Sequence, residues 1–124
     1  MKQVVQEFTV SRKGWLRGEG SESSALLREE DGKKCCLGFY ANACGISDDE
    51  ILGAHILSYI VTPQSHPQVH PTFSDREARE GWVVAEAIMN LNDRNDMGAK
   101  NDSERERELT AKFAKLGITI HFVD

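Results

Sequence analysis

Asp31-Gly-Lys-Lys-Cys-Cys-Leu-Gly-Phe-Tyr-Ala-Asn-Ala-Cys-Gly-Ile46 contains a turn, a change of period and a helix stop in a single stretch. Asp31-Gly32 is a hairpin signal, because both residue types tolerate the positive φ angles of tight hairpin turns. From Cys36 to Cys44 the apolar positions Leu37, Tyr40, Ala41 and Cys44 recur at spacings of three and four, which places them on one helix face. Gly45 then supplies a left-handed stop and Ile46 an apolar residue that packs back. The stretch predicts a hairpin, or a strand running directly into a helix.

Working outward, Val4, Phe8 and Val10 share one face of a period-2 pattern, with Val5, Glu7 and Thr9 opposite. Ile118, Ile120 and Phe122 repeat the pattern near the other end, with Thr119, His121 and Val123 facing away. The two segments are expected to lie in one sheet. Ser47-Asp48-Asp49-Glu50 and Ser74-Asp75-Arg76-Glu77 read as capping boxes, as does the run from Ser103 to Glu106. The first opens a short helical turn. The second starts a helix to about Leu91 with Ala78, Trp82, Ala85 and Met89 as its buried stripe, flanked by Val84 and Ile88. The third starts a helix with Leu109, Phe113 and Leu116 inward and the charges of Ser103–Glu108 solvated, closed by Gly117-Ile118. Thr62–Ser74, which holds all three prolines, is expected to be an irregular loop, and Asn92–Asp102 a turn-rich one. The sum is one α+β domain over residues 1–124, with a small, mostly antiparallel sheet packed against about three helices.

The 124 residues carry 15 Lys and Arg against 20 Asp and Glu, a net charge of −5. That length buries roughly two-thirds of the unfolded surface, enough for one core. The acidic balance argues against general nucleic-acid binding, which needs cations to displace counterions from phosphate. The balance is uneven: residues 1–40 carry 7 basic and 6 acidic side chains, residues 41–124 carry 8 and 14. An acidic docking face and a small basic pocket around Arg12, Lys13 and Arg17 are both compatible with it. Three cysteines, two of them adjacent, make a poor disulfide framework and point to a reducing cytoplasm. Met1–Glu7 lacks the apolar core of a signal peptide, and Gly53–Val61, the longest apolar stretch, is too short to span a membrane.

Four constellations could carry chemistry. Cys35 and Cys36 at a helix start would sit near the positive dipole end, which favours thiolate, and His121 is a conceivable base; packing as small hydrophobes is the favoured reading. His66 and His70 are four apart but in a proline-interrupted loop without a CxxC pair, so no metal site and no cofactor are expected. Arg12-Lys-Gly-Trp-Leu-Arg17-Gly18-Glu-Gly20-Ser21 is glycine-punctuated and cationic. Its backbone N–H groups and Arg17 could cradle an anion such as a small nucleotide, with Arg12, Lys13, Gly18 and Gly20, although it matches no P-loop. Asn92 and Asp93 read first as turn and cap residues and second as groups presented to a ligand.

Arg17-Gly18-Glu19-Gly20, Leu26-Leu27-Arg28, Asp31–Phe39 with its Cys-Cys-Leu-Gly core, and Leu91-Asn92-Asp93 together resemble small uncharacterised proteins of tailed bacteriophages and prophages. The similarity extends over most of the chain, including the Ser-Glu-Arg-Glu-Arg-Glu run and the Phe-Val-Asp ending. It implies a viral accessory product of the bacterial host cytoplasm and carries over no catalytic residue. The expectation is therefore a binding protein rather than an enzyme, directed at a host defence or regulatory factor. The alternatives are a small-nucleotide sponge using the Arg12–Ser21 loop and a thiol-dependent enzyme using Cys35 or Cys36.

Overall fold

The computed structural model describes residues 4–16, 26–29, 32–54, 56–75, 77, 79–93 and 102–124, with the side chains at 79, 93 and 102 outside the description. In chain order the elements are β1 (Glu7–Ser11), a 3-10 turn at Arg12–Gly14, α1 (Cys36–Ala43), α2 (Asp48–Ile51), a 3-10 turn at Leu57–Tyr59, α3 (Pro71–Ser74), α4 (Arg79–Asp93), α5 (Asp102–Ala114) and β2 (Thr119–Val123). No helix among the described residues is long and apolar enough to cross a membrane.

The two end strands do pair, with Phe8 opposite Ile120 and Val10 opposite Phe122, but they run parallel. The expected small antiparallel sheet against three helices is thereby corrected: the described residues form a two-stranded parallel sheet with five α-helices. Antiparallel neighbours come from local hairpins, whereas a parallel pair needs a long crossover. Here the crossover is everything between Ser11 and Thr119. Asp31 of the Asp31-Gly32 signal lies outside the described residues, while Gly32 has φ +71° and Arg28 N–H donates to the Lys33 carbonyl. Beyond that contact the described flanks pair with other segments. Leu27 bridges to Leu52 and Lys34 to Trp15, both in parallel sense, so the flanking backbone groups are already used.

Helix ends follow local chemistry more closely. Gly45 (φ +88°) and Gly117 (φ +77°) occupy left-handed positions. Ile46 N–H reaches the Ala41 carbonyl and Ile118 N–H the Phe113 carbonyl, closing α1 and α5 with the six-to-one bond of a Schellman stop. The loop expected over Thr62–Ser74 instead ends in α3. Pro71 sits at the first turn, where its missing N–H is harmless, and His70 Nδ1 accepts from Thr72 N–H as cap. The Ser74 capping box does not form: Ser74 is buried, Asp75 Oδ1 accepts from Glu77 N–H, and α4 begins at Arg79. The buried face of α4 is Ala85, Ile88, Leu91 and Asn92, while Trp82 and Met89 are half-buried at its margin.

The core joins both ends of the chain to the middle. Phe8, Tyr40, Phe73 and Phe113 form an aromatic cluster with ring centroids 5.1–5.7 Å apart for the Phe8–Tyr40, Phe8–Phe113, Tyr40–Phe73 and Phe73–Phe113 pairs. Each such pair adds about 1 kcal/mol beyond its buried area. The charge run of α5 is not wholly solvated: Arg105 is 2% exposed, four residues before the buried Leu109.

Candidate functional site

Cys35, Cys36 and Cys44 are buried thiols within the core. Cys44 Sγ–H points at the Gln68 carbonyl at 3.8 Å, and burial pushes its pKa up to about 11. His121 lies on the outward face of β2, with Nε2 3.4 Å from Glu7 Oε2. Cys36 faces the core and His121 faces solvent, so the fold does not bring the proposed thiol and base together.

The cationic loop is divided. Arg17, Gly18 and Gly20 lie outside the described residues. Lys13 is exposed. Arg12 is held by two carboxylates: Nε and Nη2 donate to Glu106 at 2.9 and 2.8 Å, and Nη1 donates to Asp124 at 2.9 Å. These bonds raise its pKa, Glu106 contributing most. They tie the first turn to α5 and to the end of β2, so an anion would have to compete with Glu106 and Asp124 for this guanidinium.

Asn92 is 1% exposed and spends both ends of its amide on the protein. Oδ1 accepts from Trp15 Nε1 at 2.7 Å and from Cys36 N–H at 3.1 Å, while Nδ2 donates to the Leu16 carbonyl at 3.0 Å. Cys35, at the N-cap of α1, makes no side-chain cap bond, so Asn92 serves that helix end from α4. Neither the turn role nor ligand presentation describes this clamp; the Asp93 side chain lies outside the description. His66 and His70 part company too. His66 Nδ1 meets Ser65 Oγ at 2.8 Å, His70 caps α3, and no group of three potential metal ligands occurs among the described residues.

What the fold assembles instead is a shallow recess between the Leu57–Tyr59 turn, α3 and α4, open to solvent and enclosing room for about one water molecule. Leu57, Phe73, Trp82 and Met89 give it apolar walls, and Ser58 and Thr72 add hydroxyls. Ser58 is 8% exposed and its Oγ has no hydrogen-bond partner among the described residues. Two large apolar residues adjoining the lining residues in sequence stand out from the surface: Tyr59 is 64% exposed and Val83 62%.

The recess also lies in the acidic part of the chain. Residues 36–93 carry eight acids against two arginines, whereas the remainder is nearly balanced. Asp48, Asp49, Glu50, Glu77, Glu80 and Glu86 are all exposed. Asp48 is held below the usual carboxylate range by Asn42 and then by Lys34, whose Nζ lies 3.2 Å away. Sequence periodicity put Trp82 and Met89 in the buried stripe of α4, where the structure leaves them half-buried, and it passed over Ser58 and Tyr59. The available signal was the apolar Gly53–Val61 stretch, whose lack of helical or strand period accords with a 3-10 turn.

Comparison with protein-family models, curated proteins and solved structures found no match for this chain.

Proposed function

We propose that this chain is a bacteriophage accessory protein that acts in the bacterial host cytoplasm by binding a host protein and inhibiting a defence or regulatory factor. The phage assignment rests on the resemblance carried by Cys35-Cys36-Leu37-Gly38 and Leu91-Asn92-Asp93. The binding assignment rests on one observation, the exposed large apolar side chains of Tyr59 and Val83, which adjoin the lining residues of the apolar recess in sequence, within the acid-rich part of the chain. Interfaces concentrate their energy in a few apolar or aromatic contacts, while charge around them steers the encounter and selects the partner. An acid-rich face suits a basic partner surface, including one that otherwise binds nucleic acid.

The test is affinity capture from bacterial lysate with the wild type and with the double variant Tyr59→Ala, Val83→Ala. Both positions are exposed, so the variant should fold normally. The expected result is a specific protein retained by the wild type, released as salt is raised, and not retained by the variant. Equal retention by both proteins, or no specific protein from several hosts, would overturn the reading.

A further inference from the structure

We infer that the outer edge of β1 receives an extended segment of a partner protein as a third strand, with a lysine or arginine opposite Glu7. This is a second docking surface, beyond the Tyr59 and Val83 side chains on which the binding reading rests. Backbone accounting is the first ground. The register of Glu7 with Thr119, and the bond from Thr119 N–H to the Gln6 carbonyl, fix which way each group of β1 points. Phe8 and Val10 donate toward β2, so the N–H and C=O of Glu7 and Thr9 face the other edge. Those groups have no hydrogen-bond partner among the described residues, and both residues are exposed. Val5, two residues earlier on the same edge, does have one: its N–H donates to the Gln68 carbonyl at 2.9 Å. The third-strand position is therefore taken beside Val5 and open beside Glu7 and Thr9, because the chain turns away into α3 at Pro71.

The second ground identifies the occupant. A row of N–H and C=O groups two residues apart is complementary to another extended backbone, and strand addition uses such edges. Side chains narrow the choice. The Glu7 side chain is 74% exposed, with His121 Nε2 3.4 Å away on the β2 side. A cation on an added strand meets the same carboxylate from the opposite side, and a threonine suits the place opposite Thr9. A second copy of this chain does not fit. Antiparallel pairing of two β1 edges is symmetric and sets the strands roughly 4.8 Å apart. Each α1 lies on the core face of its β1, with Tyr40 on Phe8 at 5.3 Å between ring centroids. It has no room to shift toward β2, where α5 packs and Phe113 meets Phe8 at 5.1 Å. Two α1 helices over adjacent strands would be closer than the roughly 8–10 Å that helix packing allows.

The test titrates the full chain with the capped peptide Ser-Val-Thr-Val-Lys-Val and follows amide resonances and hydrogen exchange by NMR. Paired antiparallel, its threonine lies opposite Thr9 and its lysine opposite Glu7, and both residues bond through N–H and C=O. In the free protein the Glu7 and Thr9 amides should exchange freely, while Phe8 and Val10 are protected by the β1–β2 ladder. The peptide should shift and protect Glu7 and Thr9. N-methylation of the peptide threonine, whose N–H faces the edge, should weaken binding at least about 10-fold. N-methylation of the following valine, whose N–H faces away, should change it less than about 3-fold. Replacing the peptide lysine by glutamate should cost about 2- to 5-fold, and Glu7→Lys should reverse that preference. The inference is overturned by no shifts at millimolar peptide, by shifts confined elsewhere, by tolerance of the methylated threonine, or by a Glu7→Lys variant that keeps the lysine preference. Protection of Glu7 and Thr9 that rises with protein concentration would assign the edge to a second copy and overturn it as well. If the peptide fails while lysate capture still depends on Tyr59 and Val83, the edge inference falls and the protein-binding reading stands. If both fail, both fall.

Discussion

A Cβ built on Gly38 would stand 1.9 Å from the Leu26 carbonyl oxygen and 2.9 Å from the Lys34 Cβ. The Leu26–Leu27 segment is fixed to the 53–54 backbone by Leu26 N–H to Ala54 O and by Gly53 N–H to Leu27 O, leaving it little room to retreat. Gly38→Ala should therefore destabilise the protein by about 2–4 kcal/mol, although alanine is the better helix former. Urea unfolding reads this directly, and a loss below about 0.5 kcal/mol would show that the contact relaxes freely. The Cys-Cys-Leu-Gly segment draws the eye to its thiols, yet its glycine is what lets two backbones meet. Asn92 makes the same point. The asparagine in a helix-ending Leu-Asn-Asp segment reads locally as a turn residue. Its hydrogen-bond partners are Trp15, Leu16 and Cys36, 77, 76 and 56 residues away, and no local rule names them.

At the scale of elements, α3 carries a pH dependence. Burial lowers the His70 pKa, and its Nδ1 must be unprotonated to accept from Thr72 N–H. The unfolded chain thus binds this proton more readily than the folded one, so the contribution to stability is complete above about pH 6.5. It is lost as pH falls from there through the lowered folded value. Asparagine accepts the same cap bond without titrating. His70→Asn should flatten the decline of the urea midpoint between about pH 7 and 5, relative to the wild type. An unchanged slope would remove His70 from that role. The helix and strand signals divide along a physical line. Gly45 and Gly117 end α1 and α5 as read, because a left-handed glycine and the following apolar residue act within one turn. The Ser74 box fails because Ser74 is drawn into the interior beside Phe73, which packs on Tyr40 and Phe113.

For the whole molecule, the aromatic cluster joins β1, α1, α3 and α5, so the three thiols sit inside a core that spans the chain. Cys44 is additionally disfavoured as thiolate, with its pKa pushed up to about 11. Native protein at pH 8 should label with a thiol reagent such as dithionitrobenzoate at least about a hundredfold more slowly than a denatured control, because exposure requires opening the core. All three should become reactive together as urea crosses the unfolding transition. A single fast cysteine in the native state would instead restore the case for thiol chemistry at Cys35 or Cys36. The sequence by itself determined the inward faces of β1 and β2, the stops of α1 and α5, and the concentration of acid after residue 40. Each of these is a matter of period, local φ/ψ preference or composition, and acts over a few residues. Tertiary structure alone decided the parallel direction of the strands, the Asn92 clamp, the capture of Arg12 by Glu106 and Asp124, and the burial of Arg105. Those features depend on which distant segments pack together, and the free energy that selects them comes from burial and hydrogen bonds between residues up to 114 apart.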